Sequence, residues 1–184
     1  MKDMIRFVLF LFALFLNTEN CRGTVPENLQ EDLQTEKSGS KAEKADNGFT
    51  LTKTHDSLYY LNDWRLPYPV YRFCTGDVNG DGKADALVGV IKGTRFYPEK
   101  ARRIFIFKLV NGKKARPLWL GSKLGGILKD FRYVNGRVRS LEASSDSLYS
   151  VADWQWNDFG LKFERFLVHR TDKATATRIF HQQE

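Results

Sequence analysis

Histidine is scarce in this chain: His55, His169 and His181 are far apart, and the last falls in a polar stretch. Scattered imidazoles of this kind read as surface or strand-edge residues and offer no histidine-based centre. Neither a nucleophile elbow nor a zinc-binding helix signature occurs. The glycines and lysine of "GSKLGG", Gly121 to Gly126, lack the spacing of a phosphate loop and read as a connection between structural units. Aspartate and glutamate are plentiful, yet nothing in the sequence places two of them together as a glycosidase pair. No apolar run approaches the roughly 20 residues that a membrane-spanning helix needs, which argues against a spanning topology. After Gly48 no segment sustains a helical period, which argues against a helical domain.

There are two cysteines. Cys74, in "VYRFCTG", sits among aromatic and apolar residues and reads as a small buried hydrophobe. Cys21 follows the N-terminal segment "MKDMIRFVLFLFALFLNTEN", in which Lys2 and Arg6 precede an unbroken apolar run from Phe7 to Leu16. That order matches the charged and apolar regions of a secretory signal, expected here over residues 1–20. Cys21 lies where bacterial lipoproteins carry their lipidated cysteine, although Thr18, Glu19 and Asn20 depart from the small or aliphatic residues usual before it. Lipid attachment and release as a free secreted form both stay open, as does a disulfide from Cys21 to Cys74. The expected location is the periplasm or the cell surface.

Residues 21–47 are nearly devoid of aliphatic side chains and carry no aromatic ones. Such a segment cannot bury enough apolar surface to offset the entropy of ordering, and it reads as a flexible spacer. From Arg22 to Asn47 four basic residues stand against six acidic ones, so the net charge of +7 belongs to the remainder of the chain, where Leu51 to Glu184 holds 23 Lys and Arg against 14 Asp and Glu, a balance of +9. A positive surface suits an anionic partner. Export argues against nucleic acid and leaves a protein, a glycan or an anionic envelope polymer, with membrane contact only through lipid at Cys21.

From Gly48 the texture is β. Segments such as "FTLTKT", "RRIFIFKLV" and "LKFERFLV" alternate aromatic and branched residues with polar ones, as half-buried strands do. "NGK" at Asn111 and "NGR" at Asn135 are hairpin signals, because Asn and Gly tolerate the positive φ of a primed turn. "WNDFG", Trp156 to Gly160, is a weaker third. The signals repeat: one four-strand meander is expected over Tyr68–Leu120 and a second over Ile127–Val168, preceded by a pair of strands. The expected fold is all-β, made of antiparallel four-stranded meanders resembling propeller blades and packed as an incomplete propeller or a sandwich. The domain should span residues 48–170, with 171–184 a polar tail.

The densest chemistry lies in "TGDVNGDGKADALVGV", Thr75 to Val90. Counting from Asp77, the residues Asp77, Asn79, Asp81 and Asp85 fall at positions one, three, five and nine, with Gly82 at six. Hard oxygen ligands at alternate positions converge if the chain coils around an ion, the glycine permitting the sharp turn and the Lys83 carbonyl filling position seven. Crowded carboxylates repel one another without a cation, and an all-oxygen donor set suits calcium better than zinc or copper. The bland alternative is an Asx-turn that binds nothing. Position twelve is Val88 where an EF-hand has a bidentate glutamate, and the flanks read as strands.

The pattern DxNxDGxxD followed by an apolar strand resembles the calcium loop of FG-GAP and VCBS-type repeats. That resemblance implies a loop joining two strands of a propeller blade, with Asp77, Asn79, Asp81, the Lys83 carbonyl and Asp85 as ligands of a structural Ca2+. One copy is present where such proteins usually carry several, and the chain is too short for a closed six- or seven-bladed ring.

Trp64, Trp154 and Trp156 are candidate stacking surfaces for sugars, against a default of core packing. The expected activity is non-enzymatic binding at the envelope. Its alternative is a hydrolase or glycan-binding accessory protein acting on envelope or extracellular polysaccharide.

Overall fold

The structure is a computed structural model, and it describes residues 22–23, 41–45, 47–95 and 97–182. The expected export segment, Cys21 and most of the expected spacer lie outside the described residues.

Thirteen strands and one helix are described. β1 (Arg22–Gly23) is a two-residue strand; β2 (Lys41–Lys44), β3 (Thr50–His55), β4 (Leu58–Leu61) and β5 (Trp64–Leu66) form the first meander. β6 (Val70–Gly76), β7 (Asp85–Lys92), β8 (Ala101–Val110) and β9 (Lys114–Trp119) form the second, with β1 added beside β6. β10 (Ile127–Val134), β11 (Arg137–Ala143), β12 (Tyr149–Asn157) and β13 (Gly160–Thr171) form the third. All pairings are antiparallel. The fold is all-β, as the alternation implies, and both meanders expected from the turn signals are present. Asn111 and Gly112 have φ of 54° and 65°, and Asn135 and Gly136 have 46° and 80°, the paired positive values of a primed hairpin turn.

The leading unit is a full meander and not a pair of strands, and it begins inside the expected spacer. β2 reads Lys-Ala-Glu-Lys and pairs with β3 as an edge strand. Main-chain hydrogen bonds hold it, and the pairing needs no apolar side chain that a sequence pattern would reveal. Asn62 ties this unit to the next: its Oδ1 accepts from the Thr50 amide at 2.9 Å, and its Nδ2 donates to the Gly48 and Lys113 carbonyls at 3.0 Å each.

The three sheets stack face to face. Alternate residues of the middle sheet, Ala86, Val88, Val90, Phe105 and Phe107, pack against Phe49, Leu51, Leu61 and Leu66 of the first unit. The intervening ones, Leu87, Ile104, Ile106 and Cys74, pack against Leu128, Phe131, Val138 and Ala152 of the third. Burial on both faces explains why β7 carries an unbroken run of buried residues from Asp85 to Val90. Among the described residues no sheet closes on itself.

Residues 173–180 lie in the expected polar tail, yet Lys173–Phe180 forms a helix, α1. Asp172 caps it, accepting from the Thr175 amide at 3.0 Å. Ala176 and Phe180, four residues apart on one helical face, bury against Leu141 and Val151 on the outward face of the third sheet.

Candidate functional site

The aspartate loop joins β6 to β7 at one end of the middle sheet. Its side chains fold back onto its own backbone. Asp77 accepts at Oδ1 from the Gly80 and Asp81 amides, 2.8 and 3.1 Å, and at Oδ2 from Gly82, 2.9 Å. Asn79 Oδ1 accepts from the Asp81 amide at 3.0 Å, and Asp81 Oδ1 from Lys83 at 2.9 Å. Asn79 Nδ2 also donates to Asp81 Oδ2 at 3.3 Å. Gly82 has φ of 78°, the left-handed conformation that lets the chain coil in this sense. Asp85 begins β7, is 1 % exposed, and accepts from the Val78 amide at 3.1 Å. Asp77, Asn79 and Asp81 thus share one coiled loop, and Asp85, at the start of β7, reaches back to it through the Val78 amide.

Burial pushes the Asp85 carboxyl up to about 6. The amides of Val78 and Asn79 pull it down, while the charges of Asp81 and Asp77 push it further up. A cation among these carboxylates would relieve both the burial and the repulsion. The donor set fits calcium in kind, being all oxygen. Among the described residues, however, no group of three or more His, Cys, Asp and Glu side chains is arranged to hold a metal. The carboxylates here are turned to their own amides.

The third sheet clamps the loop. Tyr133, on β10, donates its hydroxyl to the Asp77 carbonyl at 2.8 Å. Its ring lies over Gly76 so closely that a Cβ there would overlap it.

The tryptophans divide. Trp64 packs on Phe107 in the interface of the first and middle sheets, ring centroids 5.9 Å apart. Trp154 is 7 % exposed in the other interface and donates its indole N–H to Ser140 Oγ at 2.8 Å. Trp156 shares that interface, half-buried. The middle sheet stands between Trp64 and the other two, so the three rings form no common platform.

The fourth tryptophan is one that sequence reasoning does not single out. Trp119 ends β9 and lies with Trp154 along a groove of about 650 Å³ between the connection 121–126 and the β12–β13 hairpin. Gly160 makes room for the indole, since a Cβ there would meet its Nε1. A smaller cavity of about 220 Å³ shares Trp154 and Gly125 with it. There Glu142, 4 % exposed, accepts from Ser140 Oγ at 2.6 Å and from the Gly126 amide. A tryptophan beside a glycine-rich connection is the only local signal of the groove. It does not say which hairpin the connection meets.

Comparison with protein-family models, with curated proteins and with solved structures returns no match.

Proposed function

We propose that this chain is an exported binding module of the cell envelope, built of blade-like sheets similar to FG-GAP repeats and stabilised by one calcium ion in the Asp77–Asp85 loop. Asp77, Asn79, Asp81, Asp85 and the Lys83 carbonyl hold the ion, which acts structurally by binding the folded loop and not the unfolded chain. Any membrane contact runs through lipid at Cys21.

The observation that supports this reading most is Asp85: a carboxylate 1 % exposed, with two further aspartates close enough to disfavour its charge. A folded protein keeps such an arrangement at a cost that a cation offsets.

Thermal melts with calcium and with chelator, on the protein and on Asp81→Ala, test it. Calcium at about a hundredfold excess over Kd should add about 2.7 kcal/mol to the parent and leave the variant unmoved. Equal midpoints with and without calcium in the parent would overturn the metal assignment.

A further inference from the structure

We propose that the groove between the end of the middle sheet and the β12–β13 hairpin binds a saccharide bearing carboxylate groups. This names a ligand class for the binding function above and rests on that reading for the place of encounter.

The groove's volume of about 650 Å³ falls within the range of roughly 300–1,000 Å³ usual for small-ligand sites. Two indoles line it: Trp119, half-buried, as the stacking face, and Trp154, only 7 % exposed, as part of the floor. Both are held before any ligand arrives: Trp154 by its bond to Ser140, Trp119 by contact with the turn at Gly160. Fixed rings lose little side-chain freedom on binding. At the hairpin tip, Phe159 is 94 % exposed, an unusual position for a large apolar ring, and it extends the aromatic wall.

Charge selects the ligand. Lys123 and Lys162 line the groove, and no aspartate or glutamate does. Both lysines are exposed, and the Lys123 ammonium lies 5.5 Å from the centre of the Tyr97 ring. Ser122 and Asn157 add hydroxyl and amide groups. A pyranose presents an apolar C–H face and a rim of hydroxyls, and a uronate adds a carboxylate. That combination matches aromatic rings, polar side chains and ammonium groups in one place. An extended peptide is the competing occupant, since β9 and β13 are edge strands there, but strand addition makes no use of the half-buried indole and the exposed ammonium groups gathered in the groove.

The test is a titration of the full chain with a galacturonate trisaccharide, followed by tryptophan fluorescence and calorimetry, beside a neutral galactose trisaccharide and citrate. The uronate should bind and perturb the fluorescence, the two controls should not, and Lys123→Gln with Lys162→Gln should weaken binding about tenfold or more. These lysines are exposed, so that variant should keep the parent's melting temperature; Trp119→Ala serves as a second variant that should weaken uronate binding about tenfold or more in calorimetry. No binding at millimolar uronate overturns the proposal, as does equal binding of the neutral sugar or of citrate.

The titration is run with calcium and with chelator, alongside the melts. A protein that melts independently of calcium yet binds uronate through the lysines loses the metal assignment and keeps the groove. One that responds to calcium in the melt and ignores uronate loses the groove alone.

Discussion

The Tyr133 hydroxyl donates to the main-chain carbonyl of Asp77 at 2.8 Å, so the first residue of the aspartate loop is fixed by a side chain from the neighbouring sheet. Tyr133→Phe removes this bond and keeps the ring over Gly76. It should cost about 0.5–1.5 kcal/mol in chelator, and the upward shift of the midpoint by calcium should shrink as well. A calcium shift equal to that of the parent would mean that the hydroxyl does not position the loop.

Gly76 is the other half of this contact. A methyl group there meets the Tyr133 ring, both positions being half-buried, so Gly76→Ala should destabilise by about 1–3 kcal/mol through overpacking. Combining it with Tyr133→Ala should recover part of the loss. Additive losses in chemical denaturation would show that the two positions do not compete for the same space.

Beneath the terminal helix, Arg139 donates to Asp153 at 2.9 Å, and the two side chains are 1 % and 0 % exposed. The partly exposed Arg165 reaches the same carboxylate at 3.1 Å, and Arg139 also donates to the Gln182 carbonyl. Asp153→Ala leaves a buried guanidinium without its carboxylate and should cost about 3–5 kcal/mol. A loss below about 1 kcal/mol, the scale of a surface pair, would contradict the burial assigned to this pair.

Asp172 gives a pH test. Hydrogen bonds from the Thr175 amide and side chain hold its carboxyl below the usual range. A depressed folded value contributes stability that is present above the unfolded value, near 3.8, and fades as pH falls through the folded one. Asp172→Ala should therefore melt below the parent at neutral pH, and the gap should narrow on acidification below about pH 4. Asp172→Asn, still able to cap, should show less dependence on pH. A gap that is constant across the acid range would remove the carboxylate from the cap.

What the sequence discloses depends on how far apart the interacting residues lie. Alternation along "RRIFIFKLV" and the Asn-Gly turns are local, and they locate β8, the second meander and the third. Edge strand β2 announces nothing, because its pairing with β3 uses backbone groups common to every residue. α1 is legible only in retrospect: Asp172 as a cap, with Ala176, Ile179 and Phe180 at helical spacing, is a short pattern inside a polar stretch. The tryptophans show the limit most clearly. Trp154 and Trp156 share a face by strand parity, which sequence can read, whereas the nearness of Trp119 to Gly160 depends on how two hairpins from different sheets meet.

Helix α1 gives the stack a direction. Phe180 and Ala176 occupy the outward face of the third sheet, the surface on which a fourth sheet would have to lie. The face at the opposite end carries Thr52, Tyr60 and Arg65 as cross-strand neighbours, and no described helix is packed there. The helix thus covers apolar side chains that a further sheet would otherwise have to cover. A symmetric ring made by joining two such chains end to end would have to displace it, exposing Phe180 and the Arg139–Asp153 pair. Among the described residues, it is the third sheet whose outer face is already taken by a helix.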